Sequence, residues 1–383
     1  MAASPQTDHP LKELALLVRQ GRFEETRDWL EAGKPFRATS YRSAKPLRAA
    51  ASSGFYSIIR LFLAQDLSQD ELNQMLQDVV YLGREDLVRL LLESGANANS
   101  ELETFSSALS SGNPGIVRLF IEHGADLKSG KPLAWAFGKY PHRSLVGIFK
   151  DLLRKDPSFI EQATQALNEQ LTAKNEKWIS LLLWIGADPR LLVDDLEIED
   201  YKRSPLECAV RMGNLAFLKK ARLDPKRDDI VQLLFSADWT PRSEVVQYLL
   251  SFDPDICSRD EHGESLIESY FAGLHYSWNI SWRADHLDQI VACIELLAKH
   301  GAKWTPSSRT SYDRLRAALR KIERYKAISI LERFVALNVF GPGTFRILMA
   351  TPKMKDFLVT DTLRLAAGQK VLGKARHRVN QSR

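Results

Sequence analysis

Apolar and polar positions alternate with helical spacing along much of this chain. Residues 84–94 set Leu87, Val88, Leu91 and Leu92 among the charged Glu85, Arg89 and Glu93, a pattern that predicts an amphipathic helix. That helix closes on Gly95-Ala96-Asn97. The phrase returns 29 positions later, where Ile116, Val117, Leu119 and Phe120 lead into Gly124-Ala125-Asp126. Further copies end at Gly33, Gly186 and Gly301, and weaker ones without the glycine fall near Ala64, Lys155, Leu223 and Phe252. Gly33 to Gly95 and Gly124 to Gly186 both span 62 positions, which predicts a repeating unit of about 33 residues with a degraded copy in each gap.

A shorter helix is predicted ahead of each long one, opened by proline in Pro46-Leu47-Arg48, Pro132-Leu133-Ala134 and Pro205-Leu206-Glu207. Proline suits the first helical position because its ring fixes φ and its missing N–H is one that a helix leaves unpaired. Gly54, Gly83, Gly112 and Gly213 are predicted to turn the chain between the two helices, and the closing glycines to form left-handed C-caps. A unit of this kind cannot bury its apolar face alone, so neighbours must stack.

Pro-Leu-x-x-Ala, Val-Arg-Leu-Leu-Leu and Gly-Ala-Asp/Asn together resemble the ankyrin repeats, most closely over residues 83–126. The resemblance implies an all-α solenoid of about nine irregular units over residues 11–338, after an N-terminal extension at 1–10. Where the family carries Thr-Pro-Leu-His, this chain has Lys or Ser for the Thr, and Arg48, Ala134 or Glu207 for the His. Residues 339–367, after the breaker Phe340-Gly341-Pro342-Gly343, are expected to form capping helices, with a basic unstructured tail at 368–383.

Charge is distributed unevenly. The chain carries a net +5, but residues 299–383 hold 19 Lys and Arg against 5 Asp and Glu, a net +14, which leaves −9 for residues 1–298. Such a basic end suits an acidic partner, be it nucleic acid, a membrane surface, another protein, or an acidic body, its own or that of a second copy. Cys208, Cys257 and Cys293 lie far apart with no Cys-x-x-Cys, as expected of buried thiols in a reducing compartment. No secretory leader is apparent at Met1–Asp8, and no apolar run approaches the roughly 20 residues of a membrane span. An intracellular, cytoplasmic protein is expected, with the nucleus open if the source is eukaryotic.

Motifs for phosphate loops, dinucleotide binding, zinc proteases and serine hydrolases are missing, so neither an enzyme activity nor a cofactor is expected. Two segments break the repeat. Residues 273–286 insert His275, Tyr276, Trp278, Trp282, Asp285 and His286; its aromatics, alternating on an extended segment, form a candidate anchor. Residues 191–201 form an acidic finger containing Asp194, Asp195 and Tyr201. In the family, contacts come from hairpin tips and the exposed face of the inner helices. The resemblance therefore implies a protein-binding scaffold, with partner contacts at Tyr41, Arg42, Lys131, Trp135, Asp194, Asp195, Tyr201, Tyr276, Trp278 and Trp282. A nucleic-acid-associated factor using residues 299–383, or an enzyme with a site in the 273–286 insertion, are the alternatives.

Overall fold

A computed structural model describes residues 8–37, 45–100, 102–194, 201–237, 241–276, 284–304 and 324–341, together with 313, 315 and 344. Two compact units divide the chain, Met1–Pro205 and Leu206–Arg383. The first contains α1 (Asp8–Arg19), α2 (Phe23–Glu31), α3 (Pro46–Ser53), α4 (Tyr56–Leu63), α5 (Gln69–Leu82), α6 (Glu85–Glu93), α7 (Leu102–Ser111), α8 (Pro114–Glu122), α9 (Pro132–Lys139), α10 (Val146–Lys155), α11 (Ile160–Thr172) and α12 (Glu176–Ile185). It ends in a two-stranded antiparallel hairpin, β1 (Val193–Asp194) and β2 (Lys202–Arg203), with Val193 opposite Arg203.

The odd helices of this unit form one row, each packing on the next from α1 to α11. Of the even helices, α2 packs on α4, α6 on α8 and α10 on α12. Between the rows lie Leu14, Ile59, Phe62, Leu76, Leu87, Leu91, Phe120, Phe137 and Phe149, all buried. These are the positions the 3.6-residue periodicity selects, and their burial stabilises an all-α fold.

The second unit contains α14 (Leu215–Ala221), α15 (Ile230–Ser236), α16 (Ser243–Leu250), α17 (Leu266–Tyr276), α18 (Ala284–Lys299) and the helix Arg324–Ala336, while α13 (Pro205–Met212) joins the two units in sequence. Here α14 packs on α16, α16 on α18, and α15 on α17.

Helix ends follow the glycine pattern. At Gly95, φ is +96°; its N–H donates to the Leu92 carbonyl and the Ala96 N–H to that of Leu91, the paired bonds of a Schellman cap. Gly124, Gly186 and Gly301 repeat the arrangement with Ala125, Ala187 and Ala302, and each of these alanines is buried. Where the glycine is lost the outcome differs. Arg222 and Asp253 keep a left-handed φ of +52° and +55°, whereas Ala64 stays right-handed at −76° and Asp156 is extended at −137°.

Three expectations change. Helix α1 begins at Asp8, within the segment read as an extension. Cys257 is exposed, in contrast to Cys208 and Cys293, because it sits in a turn where its N–H donates to Asp255 Oδ1. Tyr276 is the last residue of α17 and α18 starts at Ala284, so helix occupies both ends of the 273–286 insertion, and residues 277–283 lie outside the described residues. Residues 368–383 lie outside the described residues, as do nearly all of 339–367.

Candidate interaction surface at helix α11 and the hairpin

Pro132 opens α9 with no N–H, and the preceding Lys131 adopts a left-handed φ of +48° without a side-chain cap. The next two N–H groups, of Leu133 and Ala134, need acceptors. Gln162 of α11 supplies them across the helix interface: its Oε1 accepts both, at 3.0 and 3.3 Å, while its Nε2 donates to the Leu127 carbonyl at 2.6 Å. A cap that usually comes from the same chain segment is thus delivered by the neighbouring helix α11.

The same face of α11 continues through Gln165 and Asn168, at three-residue steps that align side chains along a helix. Gln165 Nε2 donates to the Asp194 carbonyl at 3.1 Å, and Asn168 Nδ2 to the Arg203 carbonyl at 3.4 Å. Both strands of the hairpin are therefore tied to one buried polar stripe. Its neighbour Gln170 donates to the carbonyls of Phe137 and Gly138. Among the described residues, Gln165 Oε1 and Asn168 Oδ1 are buried with no hydrogen-bond partner, each at a cost of about 1–3 kcal/mol.

A third tie is ionic. The Lys131 ammonium contacts the carboxylates of Glu161, at 2.8 Å, and Asp194. Partial burial pulls the Lys131 pKa down, but bonds to Asp194 and Glu161 outweigh it and the net shift is upward. The hydrogen bond from Lys131 holds the Asp194 carboxyl below its ordinary value.

Aromatic side chains flank this platform. Trp135, one turn after Lys131, packs on the half-exposed Tyr140 with ring centres 4.9 Å apart. Tyr201, 45% exposed, lies beside the Arg203 guanidinium at 5.3 Å. Farther along the odd row, Tyr81 is 70% exposed and its hydroxyl accepts from Ser107 at 3.3 Å. Ion pairs within the odd row recur at an offset of 30 residues: Arg48 with Asp78 at 3.5 Å, Lys131 with Glu161, and Lys139 with Glu169 at 4.0 Å. Burial raises the pKa of both Asp78 and Glu169, and the nearby cations only partly oppose it.

Of the contact residues expected from sequence, Lys131 and Asp194 are brought into direct contact, with Trp135 on the helix that follows Lys131 and Tyr201 immediately before β2. Tyr41, Arg42, Asp195, Trp278 and Trp282 lie outside the described residues, and of Tyr276 only the helical backbone is described. Sequence reasoning passed over Glu161, Gln162, Gln165 and Asn168. The available signal was three amides and small residues at helical spacing in 160–172.

Among the described residues, no group of three or more His, Cys, Asp or Glu side chains is placed to hold a metal ion, and no helix is long and apolar enough to cross a membrane. No family model and no curated protein matches the chain.

Proposed function

We propose that the chain is an ankyrin-like helical-repeat solenoid that acts inside the cell as a non-enzymatic scaffold. Its partner is another protein, bound along the odd-helix row and the hairpin. The observation that carries this reading is the strand pair β1–β2, tied to α11 and Lys131 by three side chains, with half-buried Trp135 and the exposed Tyr140 and Tyr201 around it. Exposed aromatics on a pre-organised backbone supply contact area at small ordering cost, which is how binding surfaces gain affinity. The recurring offset of 30 residues and the repeated Schellman caps support the repeat reading. The unsatisfied amides of α11 support a role beyond stability, since local rules are commonly broken at functional sites.

Affinity capture with the full chain from a cell lysate tests the reading, run beside W135A/Y201A and repeated after nuclease treatment. A protein retained by the wild type in both conditions and lost from the double variant is the expected result. Capture that survives the double variant, or that disappears with nuclease, would overturn it.

A further inference from the structure

A charged surface separate from the hairpin lies between α14 and α15, in the second unit. Residues 219–227 read Lys-Lys-Ala-Arg-Leu-Asp-Pro-Lys-Arg, five cations in nine positions. Lys219, Lys220, Arg222, Lys226 and Arg227 are all exposed, while the one large apolar side chain of the segment, Leu223, is buried and anchors it.

The segment is folded back on itself. The Arg222 N–H bonds to the Lys219 carbonyl at 3.3 Å, and Arg222 takes a left-handed φ of +52°. Asp224 then organises the second turn: its carbonyl accepts the N–H groups of Arg227 and Asp228 at 2.9 and 2.8 Å, and its Oδ1 accepts that of Lys226 at 3.0 Å. Asp228 is buried and accepts the Asp224 N–H at 2.8 Å; Asp229 caps α15 by accepting from Gln232 at 2.9 Å. The three carboxylates are thus turned onto backbone donors. None of them forms an ion pair with Lys219, Lys226 or Arg227 among the described residues, so these three cations are presented to solvent on a fixed scaffold.

We infer that this loop binds the phosphate backbone of a nucleic acid duplex, without reading its sequence. Repeated phosphates at fixed spacing suit several cations held a few residues apart. Stable attachment to a membrane would call for an apolar residue beside the cations, and a protein partner for an aromatic or aliphatic anchor. The loop exposes neither, since Leu223 is buried. With no exposed aromatic in 219–227 there is also nothing to stack on unpaired bases.

The test measures fluorescence anisotropy of the full chain with two 20-base-pair duplexes of unrelated sequence, between about 50 and 200 mM salt. Three phosphate contacts predict a log–log slope near −2.7, so binding should weaken about 40-fold over that range, equally for both duplexes. K219E/K226E/R227E should flatten the slope by about that amount, and K219Q/K226Q/R227Q should do so without reversing the charge. K155E/K177E, altered at exposed lysines of the first unit, should leave the slope unchanged. An unchanged slope in both loop variants, a preference for one duplex, or binding to phosphatidylserine vesicles in place of duplex would each overturn the inference.

Discussion

The Asn99 carboxamide, in the turn after α6, spans the step to the turn after α8: its Oδ1 accepts the Asp126 N–H at 2.7 Å while its Nδ2 donates to the Gly124 carbonyl at 2.8 Å. Earlier in the chain, Asn73 Oδ1 accepts the Asn97 N–H at 2.8 Å, and farther on Thr164 does the same for Asp188 at 3.1 Å. At Asn97, Asp126 and Asp188 the polar residue that closes the Gly-Ala phrase is therefore bonded to the preceding helix pair or its loop. Asn99→Ala removes both bonds at an exposed site, where water replaces them in part. It should lower stability by about 1 kcal/mol in urea unfolding, and an unchanged midpoint would show that the Asn99 bonds contribute nothing.

Gly83 and Gly112 isolate two costs that are usually mixed. Both turn with φ near +68°, but a methyl on Gly83 would meet open space, whereas one on Gly112 would overlap the His142 imidazole, which lies between α9 and α10. Gly83→Ala should cost only the left-handed strain, about 1 kcal/mol. Gly112→Ala should cost more, and His142→Ala in the same chain should return the loss toward that of Gly83→Ala. Equal losses in the two single variants would show that the contact with His142 adds nothing.

Much of this was readable in advance, for a physical reason. Glycines such as Gly95 and Gly124 mark a backbone conformation that side chains resist, and prolines such as Pro46 and Pro132 mark helix starts, so both leave local traces. Helix α11 left only its amides at three-residue steps, a trace easily taken for a solvated face, because its polar side chains face inward. Gln162, Gln165 and Asn168 read as surface residues in a periodicity analysis, and only the position of their carbonyl and N–H partners on other segments explains their burial. The retained left-handed turns at Arg222 and Asp253 were hidden likewise, since there the surrounding packing imposes a conformation that the residue type does not announce.

Gln162 is the most consequential of these amides. Replacing it by Ala strands the buried N–H groups of Leu133 and Ala134 and the Leu127 carbonyl at once, which at about 1–3 kcal/mol per unsatisfied group predicts a loss of at least 2 kcal/mol. The loss should centre on α9, seen as faster hydrogen exchange of its first turn. If exchange rises evenly over the protein while α9 keeps its relative protection, the trans-capping role is wrong.

Two acidic groups on the same surface should respond to pH in opposite directions. Asp194 is held below its ordinary value of 3.8 by Lys131, so its contribution is present above that pH and disappears as pH falls through the lowered folded value. Hydrogen exchange of the Val193 and Arg203 amides, corrected for intrinsic rate, should therefore accelerate below pH 3.8, and Lys131→Met should abolish that pH dependence. Glu169 is raised above its ordinary 4.5 by burial, so its protonated form favours the fold, and that advantage is lost as pH rises through the folded value. Glu169→Gln should consequently raise Tm at neutral pH, with the gain shrinking to nothing below 4.5. A gain that persists at acid pH would mean that Gln packs better there, and that the charge on Glu169 is not what limits stability.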